Sequence, residues 1–390
     1  MANCVLSNQN RFYVKVEPAF GQAPAIAAAD RIAAIKLGIR QRDELRDRKD
    51  KTGSRTFVGV TPGGRKRTQF ELQTYLLAGT PPAAAPAAGQ LFHSVLGGGP
   101  LIFAGGTAGG GSTTTQIVFS GPHGLVEGQA FGFNGELRFV AAVSSPTSVM
   151  VSAPFSAAPA SGAVLTGAVT YKPAADLPTV SVFDYWDPAG AVSRILVGAA
   201  CGIFRVKINS DFHEFEFSGE AQDVLDTASF TAGQGGLGAF PAEPALGSGP
   251  GMVVPGNLGQ AWLGATATKF LTITKATVEL DNDLDMRSRE FGSSVPQCHA
   301  PGLRKVTADI RLFEVDDAAT KGLYQAARAQ TPIQVMFQLG QSAGQLFGAY
   351  LKSVVPKVPE FDDSERLLEW SFTGCRAQGA QDDEIFVAFG

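Results

Sequence analysis

The sequence predicts a mainly β protein with few helices, and three observations carry that expectation. Gly (46) and Pro (23) together make up about 18% of the 390 residues, a proportion that suits many short strands joined by turns. Apolar side chains alternate with others over short stretches, as at Phe70, Leu72, Thr74 and Leu76, the period of a half-buried strand. Helical spacing stands out in residues 316–328, where acidic residues open the segment and Leu323 and Ala327 share a face. A counterpart helix is expected near residues 86–95, with Leu91 and Phe92 answering Leu323 and Tyr324. With 44% hydrophobic and 17% charged residues, the chain is not compositionally disordered.

Self-similarity sets the organisation. At a constant offset of 239, Leu45, Arg48, Gly53, Ser54, Pro62, Gly63, Arg65, Lys66 and Thr68 match Leu284, Arg287, Gly292, Ser293, Pro301, Gly302, Arg304, Lys305 and Thr307, which is 9 identities in 24 positions. The strands that follow superpose only if one residue is added after Thr307 or a β-bulge intervenes. Further on, Phe215-Glu216-Phe217-Ser218-Gly219 parallels Trp370-Ser371-Phe372-Thr373-Gly374. The first copy is 84 residues longer between its landmarks than the second. Residues 97–174 account for the excess and are expected to form a small all-β module that projects outwards and can be excised without loss of the fold. Residues 233–262, rich in Gly, Pro and Ala, are expected to be a connector.

The motifs that suggest chemistry fail on context. Gly233-Gln234-Gly235-Gly236-Leu237-Gly238 has dinucleotide-loop spacing, but Phe240-Pro241 follows where a helix must begin. Gly340-Gln341-Ser342-Ala343-Gly344 has the spacing of a nucleophile elbow, yet that mechanism needs a His after the Ser. His93, His123, His213 and His299 all precede it, so a hydrolase built on Ser342 is the weaker alternative and a hairpin is expected. Four cysteines without a C-x-x-C pair suggest neither a disulfide scaffold nor a zinc module. No catalytic, cofactor-binding or metal-binding residues are assigned, and the expectation is a non-enzyme. The first twenty residues lack a secretory apolar run, and no uncharged stretch reads as a membrane span.

Charge is polarised along the chain, although the net formal charge is only −4. Residues 36–67 hold eleven basic and four acidic side chains, whereas residues 360–390 hold eight acidic and two basic. Opposite charges meeting between copies would guide register.

The stretch Asn10-Arg11-Phe12-Tyr13-Val14-Lys15-Val16-Glu17 with Phe20-Gly21, then Gly64-Arg65-Lys66 leading into Phe70-Glu71-Leu72, and finally Phe372-Thr373-Gly374 with Asp383-Glu384-Ile385, resembles the tail tube proteins of long-tailed, siphovirus-like bacteriophages. The resemblance covers residues 1–95 and 175–390. It implies two tandem tube domains of β-sandwich, barrel-forming type, 1–96 with 175–232 and 263–390, separated by the connector and carrying the inserted module. It implies a structural virion protein, the major tail tube subunit, whose rings stack into the conduit for DNA ejection; a distal tail or baseplate hub ring is the alternative. The implied partners are further copies of the chain in trimeric, pseudo-hexameric rings, other tail proteins and double-stranded DNA in transit, with no membrane. The virion tail, after assembly in the host cytoplasm, is the implied location. Loops 41–54 and 281–294 are the candidates for ring-to-ring contact through Arg42, Arg46, Arg48, Lys49, Asp281, Asp283, Asp285 and Arg287.

Overall fold

A computed structural model describes residues 4–43, 50–51, 53–57, 59, 64–188, 190–209, 211–246 and 251–390. The protein is mainly β, with 46% strand and 7% helix. The first half opens with β1 (Arg11–Val16), β2 (Arg31–Ile32), β3 (Ala34–Asp43), β4 (Lys66–Tyr75) and helix α1 (Gly89–Leu96). The inserted segment supplies β5 (Leu101–Thr107), β6 (Gln116–Val118), β7 (Ala130–Phe133), β8 (Glu136–Ser145), β9 (Ser148–Val151) and β10 (Val164–Tyr171). The half closes with β11 (Val180–Tyr185), β12 (Arg194–Ile208), β13 (Glu214–Ala221) and β14 (Asp223–Asp226). The second half comprises β15 (Gly259–Gly264), β16 (Thr268–Phe270), β17 (Ile273–Asp281), a hairpin of β18 (Asp285–Arg287) and β19 (Cys298–Ala300), then β20 (Lys305–Phe313) and α2 (Ala318–Ala329). It ends with β21 (Ile333–Leu339), β22 (Phe347–Val355), β23 (Glu360–Asp362), β24 (Glu369–Ala377) and β25 (Phe386–Phe389).

The order of elements in the first half recurs in the second once the inserted strands and the β18–β19 hairpin are set aside. Pairings recur as well. The β3–β4 ladder shifts register at Ile35 and the β17–β20 ladder at Thr274. Leu72 faces Phe217, and Ile310 faces Phe372. This last correspondence locates the one-residue adjustment that the alignment requires after Thr307, because β20 runs one residue short of the 239 offset. The slack is taken up on β24, where Thr373 and Gly374 together oppose Asp309. Gly374 adopts φ +67° and donates its N–H to Asp309 Oδ1 at 2.6 Å, the geometry of a bulge that only glycine adopts without strain.

Eight antiparallel strands form one continuous sheet in the order β3–β4–β13–β12–β17–β20–β24–β23. The middle pairing, β12 with β17, joins the halves by backbone hydrogen bonds. Two smaller sheets cover its apolar face: β2–β1–β11–β12–β14, and β16–β15–β21–β22–β25 extended by β10 and β5. The fifteen residues of β12 thus belong to two layers. At the crossing, Val197 and Gly198 together oppose Ser181, and the displaced Gly198 N–H donates to the buried Glu17 carboxylate at 2.7 Å. Glu17 also accepts from Gly21 N–H, Thr179 Oγ1 and Ser181 Oγ at 2.6–2.9 Å. Both carboxylate oxygens therefore take two donors each.

Helix α1 fills the space between the layers. Phe92, fully buried, has ring centroids of Phe204, Phe215, Phe217, Phe347, Phe389 and Tyr171 within 5.1–6.1 Å, so first-half, second-half and inserted residues meet on one side chain. Helix α2 begins at Asp317, whose carboxylate accepts from Thr320 N–H at 2.6 Å, a regular N-cap. Its Tyr324 packs on Trp370 at 5.5 Å, as Phe92 packs on Phe215.

The inserted segment is all β, with its own core around Phe103, Ile117, Phe119, Phe131, Val149 and Leu165. It does not simply project. Leu137, Phe139 and Ala168 share a second core with Trp262, Met336, Tyr350 and Phe386 of the second half, and β10 pairs with β25. Arg138, fully buried between them, bonds Glu136 Oε1 at 2.9 Å, Gln338 Oε1 at 2.8 Å and Pro154 O at 3.1 Å, with Trp262 4.0 Å beneath the guanidinium. Burial depresses its pKa to about 10, and the Glu136 carboxylate opposes that shift. The connector is likewise tied down: Glu243 takes hydrogen bonds from Arg11 Nε and Tyr13 Oη at 2.5 and 2.9 Å. Strand β15 starts inside the stretch that composition alone marks as linker.

Two outcomes follow from these buried groups. Glu17→Gln removes one oxygen that accepts two hydrogen bonds and is expected to cost about 3 kcal/mol, read as a lower urea midpoint at unchanged m-value. Excising residues 105–172 uncovers Trp262, Tyr350 and Phe386 and is expected to give insoluble protein, contrary to the reading from sequence; Arg138→Met alone, by stranding Glu136, is expected to cost about 3–5 kcal/mol in the same measurement.

Candidate functional site

The eight-stranded sheet buries one face and solvates the other, because charged and polar residues occupy every second position. On β4 the solvent face runs Arg67, Gln69, Glu71, Gln73, and on β13 Glu214, Glu216, Ser218, Glu220. Ion pairs stitch neighbouring strands across this face: Arg67 with Glu220, Lys207 with Glu216, and Arg205 with Glu279 at 2.6 Å. These pairs are partly solvated and worth little each. They do set the pattern of sign across the strands.

Among the described residues the sheet ends in two unpaired edges. Strand β3 pairs with β4 alone, and its tip, Arg40, Gln41, Arg42 and Asp43, is exposed. At the far end β23 pairs with β24 alone, and Glu360, Phe361 and Asp362 are all exposed. Open edges of this kind are templates for another strand. The first carries Arg40 and Arg42 and the second Glu360 and Asp362, so charges of opposite sign stand at the two ends of one sheet.

Five of the eight residues assigned to ring-to-ring contact fall within the described residues, on β3, β17, β18 and the turn between the last two. Arg42 is the penultimate residue of β3, opposite Arg67, while Arg46, Arg48 and Lys49 lie outside the described residues. Asp281 ends β17, Asp283 sits in the following turn at φ +47°, and Asp285 and Arg287 stand exposed on β18, where Arg287 pairs with Glu290 at 3.4 Å. The hairpin bearing them lies against the first half. His299 Nε2–H donates to Leu177 O at 2.9 Å, Gln222 Nε2 to Pro296 O at 3.0 Å, and the Lys66 N–H to Ser294 O at 2.8 Å. Applying the repeat offsets to the charged strand residues equates Arg40 with Glu279 and Arg205 with Glu360, which the sequence reading did not single out.

The rejected motifs occupy ordinary positions. Ser342 lies exposed in the turn between β21 and β22, a strand-to-strand connection where a nucleophile elbow needs a strand-to-helix one. Residues 233–238 hold a single short 3-10 turn at Gln234–Gly236. Among the described residues no group of three His, Cys, Asp or Glu could hold a metal ion, and no helix is long and apolar enough to cross a membrane. Comparison with protein-family models and with curated proteins finds no match for the chain.

The lateral docking of the hairpin carries a pH dependence. His299 packs on Phe20 with ring centroids 5.8 Å apart, and burial holds its pKa below the ordinary 6.5, against the weaker pull of Glu17. A His depressed in the folded state leaves stability intact above its unfolded pKa and loses it as the pH falls from that value through the lower folded one. The melting temperature is therefore expected to drop between pH 7 and pH 5, and His299→Gln to reduce that drop. A pH profile unchanged by the substitution would contradict the assignment.

Proposed function

We propose that this chain is a structural subunit that assembles into stacked rings, as the resemblance to phage tail tube proteins implies. The observation that carries the reading is the eight-stranded sheet, in which two units with one order of elements are joined edge to edge by strand pairing and remain open, with opposite charge, at both ends. A contact that relates one unit to the next by rotation repeats until it closes. Closure removes the exposed edges, which otherwise invite uncontrolled pairing. Three chains supply six units, a pseudo-sixfold ring with the inserted module at alternate positions. Since the helices and the module cover the opposite side, the polar face lines the bore, where interspersed Arg, Lys, Glu and Asp present no apolar surface for DNA to adhere to. The chain then acts in the virion tail after assembly in the host cytoplasm, with other tail proteins as neighbours.

One observation favours the hub reading over the extended tube. The β18–β19 hairpin is spent on its own chain's first half, which leaves the 41–54 loop as the remaining axial candidate. Electron microscopy of the purified chain tests both readings. Rings with three peripheral densities are expected, stacked into tubes for the tube subunit and single for the hub. Strictly monomeric particles, or rings with six peripheral densities, would overturn the three-chain ring.

A further inference from the structure

Within the chain the junction between halves is defined residue by residue. On β12 and β17, Arg205 faces Glu279, Val206 faces Val278 and Lys207 faces Thr277. The same strand positions recur, unpaired, at the two ends of the sheet. Strand β3 corresponds to β17 through the register shift the two share at Ile35 and Thr274, which equates Arg40 with Glu279 and Ile39 with Val278. Strand β23 corresponds to the C-terminal part of β12 through their partners: Arg205 faces Glu216 and Val206 faces Phe215, whereas Glu360 faces Ser371 and Phe361 faces Trp370. Both acidic residues of β23 thus stand where β12 has Arg205 and Lys207.

Resting on the ring reading above, we propose that β23 of one chain pairs antiparallel with β3 of a second copy in the register of the internal junction, with the polarity of its central ion pair reversed. Glu360 then faces Arg40, Phe361 faces Ile39, and Asp362 faces Gly38. Inside the chain the basic partner lies on the β12 side; between chains it lies on the β3 side. Neither Arg40 nor Glu360 has an ion-pair partner of its own among the described residues.

Aromatic packing points to the same occupant independently of charge. In the first half, the Phe92 cluster is sealed by Phe347 and Phe389 of the second half. The equivalent cluster of the second half is Tyr324, Phe361 and Trp370, with Phe361 and Trp370 stacked at 5.3 Å and 6°. Here Phe361 remains 56% exposed. At the other edge Leu37 and Ile39 are half-buried against the main core, leaving an apolar rim for Phe361 to meet. A second copy of the chain presents just this first-half edge.

Reversed polarity also gives the contact its specificity. A β23 edge that met β17 of another chain would oppose Glu360 with Glu279, and a β12 edge that met β3 would oppose Arg205 with Arg40. Like charges directly opposite are unfavourable in a sheet and exclude wrong partners. The two junction types cannot exchange, so first and second units alternate around the ring.

Charge reversal tests the pairing on the full chain, with assembly followed by sedimentation and electron microscopy. Arg40→Glu and Glu360→Arg are each expected to raise the protein concentration needed for rings by about tenfold or more, less so in high salt, and the double variant to recover assembly. Both side chains are exposed, and unchanged melting curves show that the single variants fold. A second measurement uses Ile39→Cys with Phe361→Cys in a Cys4→Ser chain, where oxidation is expected to link neighbouring chains covalently. Rings that form unimpaired in the single variants, a double variant that fails to recover, or rings without the 39–361 link would overturn the register while leaving the ring reading intact. A wild-type chain that stays monomeric would overturn both.

Discussion

Strand β12 must belong to two sheets and two halves at once, and the architecture follows from how its backbone manages the change. Its first residues pair with β11 and β14, its last with β13 and β17. At the crossing one N–H is displaced from the ladder, and a buried amide without a partner would be costly. Glu17 supplies the acceptor, and its other donors fix the turn at Gly21 and the start of β11. Gly198 itself takes φ +61° and lies so near Gln222 that an added Cβ would approach within 2.6 Å of that side chain. The Arg11 to Glu17 stretch that carries the family resemblance is therefore a structural clamp: Arg11 and Tyr13 hold the connector through Glu243, and Glu17 holds the crossing.

Local spacing made much of this fold legible. Alternation marked β4 and β20, acidic and apolar spacing marked α2, and the 239 offset located two hairpins that share a register shift. Features that depend on distant covering were not legible. Arg138 stands between Leu137 and Phe139 and reads as a solvent-facing position, yet β8 is covered on both sides because the module docks on the second half. Strand β15 is short, lies beside a Gly- and Pro-rich run and owes its existence to β21. The surface charges were legible as an imbalance along the chain but not as strand edges, since proximity to an open ladder is a property of topology. The charged loop residues therefore stand out in the sequence, whereas Arg40 and Glu360 do not.

Joining the units in one chain changes the energetics of their junction. The β12–β17 ladder forms intramolecularly and escapes the translational and rotational cost that an intermolecular contact must overcome. The Phe92 cluster adds aromatic packing that couples both halves and the insertion, so the internal junction folds as core and is not a docked interface. On the proposed ring reading, an edge between chains has no such advantage, and its strands stay solvated until a partner arrives. Charged residues and short length at such an edge keep it soluble, which fits the three-residue β23 and the basic tip of β3.

Two units with one order of elements in a single chain can carry different side chains at equivalent positions. A ring of identical units must accept the same side chains at every junction, whereas a two-unit chain can assign each junction its own chemistry. Here β12 presents Arg205 and Lys207 where β23 presents Glu360 and Asp362, and the facing strands differ in the matching sense, Glu279 against Arg40. Such differences cost nothing in the polar face, because these side chains lie on the solvated side of the sheet and do not alter core packing. They allow an insertion to be carried once for every two units, and they let that insertion lean on the second unit through Arg138 and Phe139. On the proposed ring reading, the asymmetry between otherwise alike units is what keeps the chain's own junction distinct from the one it offers its neighbour.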